Sequence, residues 1–233
     1  MFTLYHADVD GNPGNCCYPH KCEITDAASL QAAVCHDYVC AEYRGSYRGG
    51  ENFIGSDCLP VDCDNDHSEN PADWITPEDV AAAFPGVSFA VQYSRHHMRE
   101  KNGKPARPKF HVLFPIEVMH DSAAYADMKK LMSSIFPYFD TNALDAARFF
   151  FGTGEAKVEL FPVEMTLTEF LEGGDEFDAD MGNRQHGDRT IPEGSLGRSE
   201  YGQSDGNADQ ARLETTGEKR ARQALRLPGG VCS

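Results

Sequence analysis

Hydrophobic and polar positions change period several times along the chain, and each change marks an element. Residues 2–9 (FTLYHADV) read as a first strand, ended by the turn-rich GNPGN. Residues 26–37 (DAASLQAAVCHD) put Leu30, Ala33 and Val34 on one helical face, with Asp26 at the start. The stretch AEYRGSYRGGEN is a Gly-rich loop bearing Tyr and Arg. The next stretch, FIGSDCLPVDCD, is apolar and β-prone, a strand that finishes in acidic residues. A second helix is marked by Thr76 as N-cap, Pro77 at the first helical position, and Glu78 and Asp79 in the first turn before VAAAF.

After Pro85 and Gly86, VSFAVQYS reads as a strand with Phe89, Val91 and Tyr93 on one face. KFHVLFPI reads as its partner, the two joined through a long basic segment into an antiparallel hairpin. Residues 122–136 repeat Tyr125, Met128, Leu131, Met132 and Ile135 at helical spacing, a core-facing stripe. AKVELF is a further strand and TLTEFLE a short helix. From Gly173 onward apolar content drops and no period persists. Residues 173–233 are therefore predicted to be a largely unstructured polar tail, with 208–225 the stretch that admits a helix.

Composition narrows the class. Of 233 residues, 40% are hydrophobic and 25% charged, which is ordinary globular composition and excludes wholesale disorder. No apolar run approaches the roughly 18 residues of a membrane span, and MFTLYHADVDGN lacks the basic and apolar regions of a secretion signal. A cytoplasmic protein with no membrane partner is expected. The net charge of -16 argues against a protein that simply coats nucleic acid. That charge is uneven, however. Residues 1–90 carry 15 acidic and 3 basic side chains, whereas 91–111 carry 6 basic and 1 acidic, with His96, His97 and His111 in the same island.

Seven of the eight cysteines fall within the first 63 residues. Without a secretion signal, reduced thiols are the default. Cys17, His20, Cys35 and Cys40 offer one structural zinc set, although no clean pair of C-x-x-C knuckles is present; buried free thiols are the alternative.

Three features carry chemistry. Asp62 and Asp64, at i and i+2 of a strand end, share a face and suit a divalent metal, or else form an acidic turn with Asn65 and Asp66. Lys109 and His111 lie side by side on a strand downstream of five other cations, a cradle for a triphosphate or a hydrogen-bonded structural pair. Asp145 and Arg148 punctuate the apolar ALDAARFFFG and must be partnered with each other or used.

Taken together, a D-x-D strand end, a K-x-H strand and a later hydrophobic-Asp resemble the three motifs of the archaeo-eukaryotic primase superfamily. The blocks PVDCDNDHSENPADWITPEDV, FAVQYSRHHMREKNGKPARPKFHVLFPI and FPYFDTNALDAARFFFGT look like the primase–polymerase domains of phages, plasmids and integrated elements. The resemblance implies an α+β fold whose RRM-like antiparallel sheet packs with an N-terminal α/β half, residues 1–172 forming the catalytic domain and 173–233 the tail. It implies template-directed synthesis of primers or DNA from nucleoside triphosphates on single-stranded DNA, with a replicative helicase as a further partner.

Carried over by position, Asp62, Asp64 and Asp145 would bind two Mg²⁺ or Mn²⁺ ions. His111 would contact the incoming triphosphate, helped by Lys109, Arg95 and Arg148. Lys109 stands where the second motif usually has Ser. Lys101, Lys104 and Arg107 are expected on the template backbone. Tyr43, Arg44, Tyr47 and Arg48 either stack on bases or belong to an ordinary surface loop. Two other functions compete. A rolling-circle nicking enzyme needs two histidines flanking one hydrophobic residue on a strand, and KFHVLF has one. A non-enzymatic zinc or nucleic-acid-binding module would use the N-terminal cysteines.

Overall fold

The computed structural model describes residues 1–100, 103–141 and 144–172. The first strand, β1 (Phe2–His6), pairs antiparallel with β2 (His20–Ile24) from Phe2 opposite Ile24 to His6 opposite His20. Between them lies the turn-rich GNPGN. β2 was not expected from the pattern, because HKCEI shows its polar side chains to solvent as an edge strand does. Helix α1 (Ala27–Val34) starts at Asp26, whose carboxylate accepts the Ser29 N–H while Ser29 Oγ accepts the Asp26 N–H. Its buried side is Leu30, Ala33 and Val34, as the spacing predicts.

Short strands β3 (Tyr38–Val39) and β4 (Glu42–Tyr43) precede the long β5 (Phe53–Cys63). Helix α2 (Pro77–Ala83) carries the expected Thr76 cap. The predicted hairpin forms from β6 (Phe89–Tyr93) and β7 (Phe110–Met119). Helix α3 (Ser122–Ile135), β8 (Phe149–Phe150), β9 (Val158–Phe161) and α4 (Leu167–Glu172) complete the described chain. The expected tail, with its 208–225 helical stretch, lies outside the described residues. No helix among the described residues is long and apolar enough to cross a membrane.

The strands form two antiparallel sheets, β2-β1-β3-β8 and β4-β5-β7-β6-β9, so the fold is α+β. One side of the five-stranded sheet is aromatic. Phe84, at the end of α2, meets the rings of Phe114, Phe136, Phe139 and Phe170, and Phe114 also meets Phe89. The other side gives Ala90 and Leu113 to a core shared with Leu4, Leu30, Val34, Tyr38 and Phe150. That second core joins the two sheets, and the polar residues considered next lie beside it.

Candidate active site

Strand register lines up three polar side chains across the middle of the apolar five-stranded sheet. Asp62 on β5 is opposite His111 on β7, and His111 is opposite Gln92 on β6. Directly paired residues share a face, so the three form one buried row. Gln92 Nε2 donates to Tyr93 O at 3.1 Å, which leaves Oε1 to accept from Tyr38 Oη at 3.1 Å and from His111 Nδ1 at 2.6 Å. This network assigns the imidazole proton to Nδ1 and presents the Nε2 lone pair 3.7 Å from Asp62 Oδ1. Burial, then the nearby Arg148 guanidinium, push the His111 pKa down to about 3, so the ring is neutral at physiological pH.

Beyond Asp62, β5 ends at Cys63 and the chain turns at Asn65, which takes a left-handed φ of 54° that Asn tolerates well. The Asn65 side chain holds this turn by donating to Ile75 O and Pro108 O and accepting the Ile75 N–H. Asp64 is thereby placed beside the row. A third acid arrives from after α3: Phe139 is buried, and the next N–H, that of Asp140, donates to Asp62 O at 2.7 Å. One carboxylate oxygen from each of Asp62, Asp64 and Asp140 lies within 4.8 Å of the others.

Burial, reinforced by Asp64 and Asp140 and opposed by Arg148 and Lys109, raises the Asp62 pKa to about 7. Its Oδ1 is buried and receives no hydrogen bond. A buried carboxylate oxygen without a donor is costly, and a bound cation would satisfy it. Three converging hard oxygen ligands suit a hard divalent cation.

The third acid of this group is Asp140, where the sequence pointed to Asp145. Asp145 is exposed, and its carboxylate accepts the Ala147 N–H at 2.8 Å. Its carbonyl is held by the buried Lys129 Nζ at 2.9 Å. Both positions satisfy a hydrophobic-Asp pattern, as YFD and ALD show. The backbone bond to Asp62 brings the Asp140 carboxylate to the other two acids.

Cations surround the acids. Lys109, 7% exposed, places Nζ 3.1 Å from Asp64 Oδ2 and 3.4 Å from Asp66 Oδ1. Arg95, just past β6, stacks 3.7 Å over Phe151, and Arg148 lies 5.8 Å from the Phe150 ring with its Nε buried and unbonded. Asp62, Asp64, Lys109, His111, Arg95 and Arg148 line one cleft, closed by Phe149, Phe150 and Phe151.

Arg148 is delivered by a clamp that sequence reasoning missed. Three consecutive carbonyls before it are each held by a side chain from a different element: Asp145 O by Lys129, Ala146 O by Tyr43 Oη at 2.6 Å, and Ala147 O by Arg48 Nη1 at 2.9 Å. Tyr43 is buried and Arg48 stacks 4.7 Å over Phe149, so neither is available to stack on bases. Gly152 follows the cleft-lining phenylalanines, where a Cβ would lie 2.3 Å from the His36 carbonyl carbon.

The residues expected on a template diverge. Lys101 lies outside the described residues. Lys104 is exposed, with Nζ 3.0 Å from Asp66. Arg107 is 1% exposed and donates to Asn65 O at 2.8 Å and Ser68 O at 3.3 Å, so it holds the 64–68 turn and cannot reach a template. Its charge made it look like a surface cation, but its burial makes it a structural one. The zinc set does not assemble either. Cys40 is in the core, Cys17 is exposed, Cys35 Sγ donates to Gly154 O, and His20 pairs with Asp8. Among the described residues, Asp62, Asp64 and Asp140 are the group that converges on a possible ion.

No family model matches the chain, and no curated protein matches it. Among solved structures it is similar to the AEP domain of the primase-polymerase (PrimPol) of cyanophage S-2L. The identity is 14% and the TM-score 0.40, over 73% of this chain and 87% of that one. So distant a likeness leaves the chemistry to be argued from the side chains themselves.

Proposed function

We propose that this chain is a metal-dependent nucleotidyl transferase that makes or extends a primer from nucleoside triphosphates on single-stranded DNA. The observation that carries this reading is the convergence of Asp62, Asp64 and Asp140 in a cleft that also holds Lys109, His111, Arg95 and Arg148. Carboxylates for a cation, set beside fixed cations for phosphate, are what transfer from a triphosphate requires. Residues 1–172 would be the catalytic domain, with the five-stranded sheet as its RRM-like core.

In the reaction the primer 3′-oxygen bonds to the α-phosphorus as the bond to pyrophosphate breaks. Asp62, Asp64 and Asp140 would hold a divalent ion, which would supply Lewis-acid stabilisation of the phosphoryl oxygens. Arg148, set by its carbonyl clamp, and Arg95, braced on Phe151, neutralise the departing phosphates. In the tautomer set by Gln92, His111 donates to phosphate from Nε2 only as an imidazolium, which needs the triphosphate's charge to offset the burial and the Arg148 field that hold it neutral. Lys104, with Lys101, is suited to the template backbone.

The test is primer synthesis and extension on single-stranded DNA with ribo- and deoxynucleotides, in Mg²⁺ or Mn²⁺. Incorporation that disappears in Asp62→Asn and Asp140→Asn and persists in Asp145→Asn supports the proposal. Incorporation that survives Asp62→Asn would refute the metal assignment. A covalent protein–DNA adduct in place of incorporation would favour a nicking enzyme.

A further inference from the structure

We propose that the Lys109 ammonium occupies the place of a second divalent ion, so that the site takes one ion together with a lysine; this rests on the reading of the acids as a nucleotidyl-transfer centre. A two-ion phosphoryl-transfer site sets its ions about 3.5–4 Å apart and has them share carboxylates. Here one of the three acids is already shared with a cation. Lys109 Nζ is 3.1 Å from Asp64 Oδ2, in a side chain 8% exposed.

The ammonium is held by two carboxylates at the wall of the cleft. The Lys109 backbone is tied at both ends, its N–H to His97 Nδ1 at 3.3 Å and its carbonyl to the Ser94 N–H at 2.9 Å. On the far side of Nζ lies Asp66 at 3.4 Å, and Asp66 is itself held by Lys104 and the buried Arg107. Asp66 therefore has other partners, and Asp64 is the nearer acceptor of the two. For a second ion to use Asp64, it would have to displace an ammonium held by two carboxylates or share Asp64 with it. Either way two like charges compete for one carboxylate, which is disfavoured.

Charge agrees with this geometry. Three ionised carboxylates and one ammonium leave two negative charges, which one divalent ion cancels. Before substrate binds, a second ion would leave these acids and the ammonium with surplus positive charge, which only the triphosphate could offset. The phosphates of the substrate are then met by fixed guanidinium groups where a two-ion enzyme would use metal. Lys109 is in this sense a positioning and charge-supplying residue, and a neutral residue in its place should reopen the second ion position.

Native mass spectrometry of the whole chain in Mn²⁺, alone and with a non-incorporable nucleoside triphosphate, counts the ions directly and needs no turnover. One Mn²⁺ per chain in both states is expected for the wild type. Two are expected for Lys109→Gln and Lys109→Ser with the triphosphate bound. Lys109→Arg, which keeps the charge, should stay at one. Two ions on the wild-type complex would overturn the inference and leave the proposed activity standing. One ion on both neutral variants would also overturn it, because the ammonium would not be what excludes the second. Absence of any ion on the wild type would sink the metal centre itself.

Discussion

The two faces of the five-stranded sheet are built from the same strands and behave oppositely. On one, Phe84, Phe89, Phe114, Phe136 and Phe139 pack ring against ring, and each is at most 9% exposed. On the other, the row Asp62–His111–Gln92 interrupts an apolar core with groups that bury charge or hydrogen-bonding capacity. Alternation along β5, β6 and β7 produces both, since neighbouring residues point to opposite faces. The aromatic face stabilises the fold, whereas the polar face costs stability and is explained by chemistry. Substitutions on the two should therefore separate stability from activity.

The largest separation is expected at the acids. Asp140→Asn should abolish incorporation and Mn²⁺ binding while leaving the denaturant midpoint close to wild type, because Asp140 N–H, which bonds to Asp62 O, is kept. Phe114→Ala should do the reverse, destabilising the fold by about 3–5 kcal/mol through a cavity in the aromatic face. Urea unfolding alongside primer extension at a permissive temperature distinguishes the two patterns. An Asp140→Asn variant that unfolds as readily as Phe114→Ala would erase the contrast between the faces.

A smaller effect is expected where the clamp meets the cleft. Gly152→Ala has no room for its Cβ against the His36 carbonyl group, and its N–H donates to Asp37 Oδ1 at 2.8 Å. Overpacking of this kind costs about 1–3 kcal/mol. The strand carrying Phe149 and Phe150 must shift to relieve it, so the KM for nucleotide should rise as Arg148 is displaced. Unchanged stability and KM would show that the segment does not depend on that close approach.

Much of this was legible in the sequence because it is local. The caps at Asp26 and Thr76 and the helical stripe of α3 depend on neighbours within a few residues, and each strand of the β6–β7 pair shows its own alternation. Asp62 with Asp64, and Lys109 with His111, could be paired from the sequence because an i, i+2 spacing in extended chain sets two side chains on one face. What could not be read depends on contacts across long separations. Asp140 is set apart from Asp145 by the backbone bond to Asp62, and Arg107 from Lys104 by its burial. Gln92, Tyr43 and Lys129 carry no motif at all. Their roles come from a register and three carbonyls that the fold brings together. A Gln in the middle of the apolar FAVQY was the one local sign that something polar had to be met there.

The finest expected effect lies within the polar row and concerns pH. In metal-free protein, Asp62 has its pKa raised from 3.8 to about 7, so the folded state binds its proton more tightly than the unfolded chain does. That contribution is fully present below about pH 4 and is lost as pH rises through 7. His111 is lowered from 6.5 to about 3, so its neutral form favours folding above 6.5, and this is lost as pH falls toward 3. Between about pH 4 and 6.5 the two slopes oppose each other, each at most about 1.4 kcal/mol per pH unit. The wild type should therefore be flatter across this window than either variant. Relative to wild type, Asp62→Asn should gain stability as pH rises through it, because only the histidine slope remains. His111→Asn should lose stability over the same interval. Urea midpoints measured in chelator at several pH values decide the matter. Variants that both track the wild type would mean that the buried row does not titrate as its surroundings require. Added Mn²⁺ should reverse the sign at Asp62, since the ion binds only the carboxylate: wild-type stabilisation by metal should grow as pH rises toward and past 7, with a proton released on binding.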